Sequence, residues 1–348
     1  MSINKNEDNN TQSDEIFKDN PNLKFKKFLN IQNQLCNEIT SMDKFDFFVL
    51  NKMAYIAIPD YFCFSSNSLF IFKINPNLNL EKKLTLEGHK TNIVMVKTYF
   101  DGNNEQNYII TSDYDYLVII WKVISEKSII IKRTIATKYN HEIYSALILF
   151  YPKNIFLLTS ADTNMCSTEY DFITDEFKKN IPGTKSNKTY YVLNYSDFII
   201  ELCLDKIGIY NLSEDNNNIC EFISQDIKGD NRHGNIINEI LFVSNSNGNI
   251  ILIDLIQKNI KHIINSSNSN FFSLIEWNSL YLIVSDINKN RLNIIDTKQK
   301  KIINRFFVKT NPLYIKKIKL NKSVYKTDDI LLILGNKMFF ELWKKINN

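Results

Sequence analysis

The chain alternates short apolar segments with polar clusters from about Leu23 onward. The segments are rich in Ile, Tyr, Phe and Val, which favour β-strands, and the Asn, Asp, Ser and Lys between them are typical of turns. The spacing leaves no room for helices between successive strands, so the pattern predicts an all-β fold. Residues 1–22 are polar and without periodicity, and they are expected to form a disordered tail.

One kind of apolar segment recurs at a nearly regular interval. It consists of three or four apolar or aromatic residues followed by a polar one, and we call its last apolar residue the anchor. The anchors are Phe72, Trp121, Tyr170, Tyr210, Ile253, Ile295 and Trp343, and they lie 40 to 49 residues apart. Repeats of this length are typical of the four-stranded blades of a β-propeller. The period therefore predicts one seven-bladed domain over residues 23–348, with six or eight blades as alternatives.

The repeat that ends at Trp121 has the most specific motif. It contains, in order, Gly88-His89, Ile93–Val96, Tyr108–Ser112, Asp113-Tyr114-Asp115 and Leu117–Val123. This order resembles the WD40 repeat. The resemblance implies a hydrogen-bonded tetrad formed by His89, Thr111, Asp115 and Trp121. A buried indole N–H needs an acceptor, and a threonine hydroxyl, a histidine and a carboxylate can continue the network.

The other repeats depart from this motif. The third keeps His141, Ser160 and Tyr170 but has Asn164 at the turn position. In the fifth and sixth repeats only Asp254 and Asp296 remain after the anchor, and the last repeat has Trp343 without a histidine. Propeller families with weaker repeats therefore stay open as alternatives to WD40.

The first and last segments predict how the ring closes. Little of the chain follows Trp343, which leaves the last blade without an outer strand. Residues 23–32 alternate suitably at Leu23, Phe25, Leu29 and Ile31 and are predicted to supply that strand. The spacing of Phe25, Phe28 and Leu29 also fits a helix, which remains the alternative. A closed ring has no exposed sheet edge.

Composition narrows the classes of partner. The net charge is +4 in 348 residues, with both signs scattered, so neither nucleic acid nor an anionic membrane surface is expected. No apolar run is long enough to span a membrane, and no secretory signal is apparent. The five cysteines have no zinc-like spacing, and we expect reduced thiols in a cytoplasmic protein, with a nuclear location left open.

Motifs for catalysis, cofactors or metals are lacking. The eight glycines form no phosphate-binding loop, and neither a zinc-protease motif nor a nucleophile elbow is present. We therefore expect no enzymatic activity, no cofactor and no metal. His89 and His141 are interpreted as structural, whereas His233 and His262 lie in polar stretches and are expected to be exposed.

The expected function is that of a scaffold for protein–protein interactions. In propellers, loops carry recognition while strands form the core. The resemblance places the candidate partner-binding residues beside the tetrad, at Lys90, Asn92 and Tyr114. Two alternatives remain: a fixed subunit of a large multiprotein assembly, and an enzyme or small-ligand propeller that uses its central channel.

Overall fold

The computed structural model describes residues 24–31, 45–59, 67–102, 104–115, 117–136, 143–151, 154–161, 167–171, 177–181, 189–196, 198–204, 206–211, 221–223, 228–309, 311–326, 329–335 and 339–346. These residues form 28 strands and one short helix. The strands pair into seven four-stranded antiparallel sheets, so the fold is an all-β propeller. The predicted tail at 1–22 lies outside the described residues.

In each of the first six sheets, the four strands follow one another in the chain. The first sheet contains β2 (Asp46–Leu50), β3 (Met53–Pro59), β4 (Ser68–Ile74) and β5 (Leu80–Glu87). The second contains β6 (Ile93–Asp101), β7 (Gln106–Asp113), β8 (Leu117–Ser125) and β9 (Ser128–Ala136). The third contains β10 (Ile143–Tyr151), β11 (Asn154–Ala161), β12 (Ser167–Asp171) and β13 (Phe177–Ile181).

The fourth to sixth sheets repeat this order. The fourth contains β14 (Thr189–Tyr195), β15 (Phe198–Cys203), β16 (Ile207–Asn211) and β17 (Glu221–Ile223). The fifth contains β18 (Asn231–Ile237), β19 (Ile240–Asn245), β20 (Asn249–Asp254) and β21 (Asn259–Asn265). The sixth contains β22 (Phe271–Asn278), β23 (Tyr281–Asp286), β24 (Arg291–Asp296) and β25 (Lys301–Phe307).

The last sheet joins the two ends of the chain. It contains β26 (Pro312–Lys319), β27 (Asp329–Gly335), β28 (Phe339–Ile346) and, on its outer edge, β1 (Lys24–Ile31). The helix α1 (Lys322–Tyr325) lies between β26 and β27. The β1 strand pairs antiparallel with β28, from Lys24 opposite Ile346 to Ile31 opposite Phe340. This is the pairing that the alternation at residues 23–32 predicts, and the helical alternative is wrong for residues 24–31.

The prediction of a seven-bladed propeller is corrected to six blades whose side-chain packing the structure describes. The remaining four-stranded sheet, β10 to β13, is described by its backbone alone.

The anchors occupy one equivalent position in the sheets. Trp121 pairs with Ile109 of β7, and a β-bulge separates it from Ile120 on the side of β9. The same irregularity stands directly before Phe72, Tyr170, Ile253 and Ile295. A bulge bends the strand and increases its twist. The sequence period therefore marks the place where the outer strand turns away from the third strand.

The core lies between neighbouring sheets. The innermost strands contact one another in order around the ring, from β2 and β6 to β22 and β26. Trp121, Ile109 and Ile119 pack against Tyr55, Ala57 and Ile71 of the first sheet. Among the described residues, no helix is long and apolar enough to cross a membrane.

The first and last sheets are joined by Tyr325 of α1. Its hydroxyl accepts a hydrogen bond from the Ala54 backbone N–H at 2.9 Å and donates one to the Ile74 carbonyl at 2.7 Å. Its ring is buried with Phe45 and Ile330 in the core shared by both sheets. The β1–β28 pairing and the Tyr325 contact thus close the ring at two separate places.

Candidate functional site

Four buried side chains of the second sheet form a continuous hydrogen-bond network. The Trp121 indole Nε1–H donates to Thr111 Oγ1 at 2.8 Å, and Thr111 Oγ1 lies 2.6 Å from His89 Nε2. His89 Nδ1 lies 2.8 Å from Asp113 Oδ2. A proton on His89 Nδ1 satisfies every group, because Asp113 then accepts and Nε2 accepts from the Thr111 hydroxyl.

The carboxylate of this network belongs to Asp113 and not to Asp115, which corrects the sequence prediction. Asp113 is the last residue of β7, and its side chain is fully buried beside His89. Its second oxygen, Oδ1, accepts from the backbone N–H groups of Asp115 at 3.1 Å and Leu117 at 2.9 Å. Asp115 itself is exposed at the tip of the turn. One carboxylate thus fixes both the histidine and the turn.

Gly88 allows the network to close because it lies directly beneath the indole. A Cβ at this position would stand 3.0 Å from Trp121 Cη2 and 3.1 Å from Ile119 Cδ1. Both distances are tighter than ordinary van der Waals contact, so a larger residue would push the ring away. The Gly88-His89 pair is therefore explained by packing on one side and hydrogen bonding on the other.

The four side chains of the network are buried inside the protein. The side chains of His89 and Asp113 have no exposed surface, and Thr111 and Trp121 are buried as well. A substrate could not reach any of them without unfolding the turn. A closed polar network in a low-dielectric interior fixes the register of the strands that contribute to it.

The three candidate partner-binding residues lie in the two loops that follow His89 and Asp113. Lys90 is exposed, while Asn92 and Tyr114 are half-buried. The Tyr114 backbone N–H donates to the Asn92 carbonyl at 3.2 Å, and the Asp115 N–H donates to Thr91 Oγ1 at 3.2 Å. The two loops that carry Lys90, Asn92 and Tyr114 are thus tied together.

The other anchors show how far the motif extends. Ile253 and Ile295 are fully buried, and Phe72 is half-buried. Trp343 packs against Phe306 with ring centres 5.4 Å apart and donates its indole N–H to Glu341 Oε2 at 2.8 Å. The side chains of Tyr170, Tyr210 and Ser160, together with His141 and Asn164, lie outside the described part of the structure.

A polar group occupies the position of Asp113 in two further sheets. Asp286 ends β23 as Asp113 ends β7, and its Oδ2 lies 3.1 Å from Arg291 Nε. Arg291 also donates to Ser269 Oγ at 3.3 Å. In the fifth sheet, Asn245 Oδ1 accepts from the Asn247 N–H at 2.9 Å, much as Asp113 accepts from its turn.

These equivalent residues have a sequence signal that the motif search missed. The second strand ends in Thr111-Ser112-Asp113, in Val243-Ser244-Asn245 and in Val284-Ser285-Asp286. A serine followed by Asp or Asn at this point would have identified the capping residue in all three sheets. It would also have selected Asp113 over Asp115.

His233 contradicts the expectation that it is exposed. It lies on the innermost strand of the fifth sheet and retains only 6% of its surface. Its ring lies against that of Tyr191, with ring centres 4.1 Å apart. His262, on the outer strand β21, is exposed as expected.

Comparison with known proteins shows the fold and no more. No protein-family model matches the chain, and no curated protein matches it. Among solved structures, 1499 chains match, so this likeness selects no single function. One of them comes from the crystal structure of BBS1N in complex with ARL6DN, soaked with mercury. It has a TM-score of 0.69 and 10% sequence identity, over 94% of this chain and 98% of that chain.

Proposed function

We propose that this propeller is a non-catalytic scaffold that binds other proteins through the loops beside the buried network of the second sheet. The observation that carries the proposal is the rigid attachment of these loops. The buried His89–Asp113 contact holds their base, and the Tyr114–Asn92 backbone hydrogen bond joins their tips. A preorganised surface loses less conformational entropy on binding, which favours affinity.

The exposed chemistry of this surface suits a protein partner. Lys90 provides a cation, Asn92 an amide and Tyr114 a partly buried aromatic ring. Tyrosine is enriched among the residues that contribute most to protein interfaces, because its ring is apolar and its hydroxyl is polar. The structure of BBS1N with ARL6DN is, by its description, a complex of two proteins. That description supports a protein partner for this chain.

The test is affinity capture with the full chain and two matched double variants. The first variant, Lys90→Ala with Tyr114→Ala, removes the proposed surface. The second, Lys127→Ala with Tyr195→Ala, changes one exposed lysine and one half-buried tyrosine at the opposite ends of the strands. We expect proteins captured by the wild-type chain to be lost with the first variant and kept with the second. Equal capture by both variants would contradict the proposed surface.

A fixed subunit of a large assembly is the second candidate, and exposed apolar side chains of the second sheet favour it. Ile124 of β8 and Ile130 and Ile131 of β9 are 50%, 49% and 45% exposed. Consecutive strand residues face opposite sides of a sheet, so Ile130 and Ile131 place apolar surface on both faces of the outer strand. Gel filtration of the native protein distinguishes the two candidates. A permanent subunit elutes as a constant large complex, whereas a transient scaffold also elutes at its own mass of 40.9 kDa.

A further inference from the structure

Polar side chains from five innermost strands converge near the axis of the ring. Three charged residues, Asp46, Lys97 and Lys316, lie in one layer of the propeller. Each of them pairs with a residue at the same position in the second strand of its sheet. The pairs are Asp46 with Ala57, Lys97 with Ile110 and Lys316 with Leu332. Ala57, Ile110 and Leu332 are equivalent positions. Each directly follows the residue that pairs with the anchor of its sheet. Tyr191 and His233 lie two residues before this layer on β14 and β18.

The contacts link these groups across the ring. Lys316 Nζ lies 3.4 Å from Asp46 Oδ1, which connects the last sheet to the first. Asp46 also accepts from the backbone N–H groups of Phe47 and Thr98, each at 2.9 Å. Lys97 Nζ lies 5.1 Å from the centre of the Tyr191 ring. The Asp46 carboxylate therefore has a lysine and two backbone N–H groups as partners.

A cavity of about 360 Å³ opens beside these groups. It is lined from four strands, and its polar residues include Tyr191, His233, Glu276 and Lys316, while Leu193 and Ile275 add apolar surface. Sites for small molecules typically have volumes of 300 to 1,000 Å³ and combine apolar walls with a few convergent polar groups. The cavity is therefore large enough for a ligand of a few heavy atoms.

One buried polar atom at this cavity lacks a partner. His233 Nδ1 has no hydrogen-bond partner among the described residues, although the side chain is buried and contributes to the cavity lining. A buried polar atom without a hydrogen bond destabilises the fold. Because His233 lines the cavity, a hydrogen-bond donor bound there would complete the hydrogen bonding of this atom.

We propose that this cavity in the central channel binds a small organic anion, with Lys316 holding its oxyanion and His233 Nδ1 accepting a hydrogen bond from its hydroxyl group. The oxyanion is a phosphate or a carboxylate. Glu276, the acidic residue of the lining, accepts from a second hydroxyl. This site is separate from the loops of the second sheet and does not depend on the proposed protein-binding function.

The protonation state of His233 supports its role as an acceptor. Burial lowers the pKa of His233 well below its usual range, and the charges of Lys316 and Lys97 act in the same direction. A backbone hydrogen bond to Leu274 opposes this shift and occupies the other ring nitrogen. The imidazole is therefore neutral at pH 7, with a bare lone pair on Nδ1.

Calorimetric titration of the full chain with four defined compounds tests the site. Glycerol 3-phosphate and glycerate carry hydroxyls with a phosphate or a carboxylate, whereas sulfate and glycerol each represent one half of such a ligand. We expect one of the two organic anions to bind more tightly than sulfate, and glycerol not to bind. The preferred anion identifies the oxyanion. Failure of both organic anions to bind, or equal binding of glycerol, would overturn the proposal.

Three variants locate the binding. Lys316→Met is expected to weaken binding of the preferred anion at least about tenfold, since a hydrogen bond to a charged group is lost. Lys319→Met changes an exposed lysine on the same strand and should leave binding unchanged. His233→Phe keeps a ring beside Tyr191 and should reduce the affinity for the organic anion to the affinity for sulfate.

Circular dichroism confirms that each variant is folded. Equal effects of the two lysine variants would show that the binding is not at this cavity.

Discussion

The second and sixth sheets solve the same structural problem with different side chains. Both have an aspartate at the end of their second strand, buried where the chain turns. In the second sheet Asp113 meets His89, which continues through Thr111 to an indole. In the sixth sheet Asp286 meets Arg291, and the network continues through Ser269 to Ser266.

The comparison of these two networks shows which residues the turn requires and which belong only to the WD40-like motif of the second sheet. A buried carboxylate needs a donor, and an imidazole or a guanidinium can supply it. The indole of Trp121 needs an acceptor as well, whereas the buried Ile295 at the same position in the sixth sheet needs none. The histidine and the threonine are therefore consequences of the tryptophan, and the aspartate alone is common to both sheets.

The largest expected effect is that of Trp121→Ala. It removes a buried ring from the core between the first and second sheets, and it leaves Thr111 without its indole donor. We expect a loss of about 3–5 kcal/mol in the free energy of unfolding, the usual range for large aromatic truncations in a core. Urea denaturation followed by circular dichroism measures it. A melt equal to that of the wild type would contradict the role of Trp121 in the core.

Asp113→Ala is expected to have the next largest effect. It leaves a buried His89 nitrogen and two backbone N–H groups without their acceptor, at a cost of about 2–3 kcal/mol. Asp115→Ala is the matched control, because its side chain is exposed, and it should change stability by less than about 0.5 kcal/mol. The reverse order of the two effects would restore Asp115 as the capping residue.

Asp286→Asn tests the sixth sheet with a substitution that keeps the size of the side chain and removes its charge. The amide oxygen can still accept from the Asn270 N–H, but the ionic contact with Arg291 is lost. We expect a destabilisation of about 1–2 kcal/mol, since hydrogen bonds between charged groups exceed neutral ones by about this amount. The same denaturation experiment measures it. No change in stability would mean that the carboxylate is not the shared requirement of the two sheets.

The smallest expected effect is that of Lys90→Ala. This side chain is exposed beside the buried network, so stability should change by less than about 0.5 kcal/mol. The melting temperature of the variant provides the measurement. A large loss would place Lys90 in the structural network instead of on the proposed binding surface.

Much of the fold could be predicted from the sequence because strand length and period depend on local patterns. The predicted segments Tyr108–Ser112 and Leu117–Val123 lie within the strands β7 and β8. The capping residue was misplaced because Asp113 and Asp115 are both acidic and lie in one turn. The folded structure places the first of them inward, at the end of the buried strand β7 and beside His89.

The channel residues could not be predicted at all. In the chain, more than a hundred residues separate Lys97 from His233, and more than eighty separate His233 from Lys316. They become neighbours only when the ring closes, so no local pattern in the sequence brings them together. His233 in particular follows the polar residues Asn231 and Arg232, which suggested a solvent-facing position.

The pairing of β1 with β28 has a consequence for biosynthesis. Residues 24–31 leave the ribosome early, yet their partner at 339–346 is translated after almost all the rest of the domain. The earlier sheets consist of strands adjacent in sequence and can form while translation continues, because domains generally fold as they emerge. The β1 strand must wait throughout with its backbone donors and acceptors unpaired by β28. The nascent chain is therefore most exposed to mispairing before β28 has been translated, and a chaperone that holds β1 would have its greatest effect during that interval.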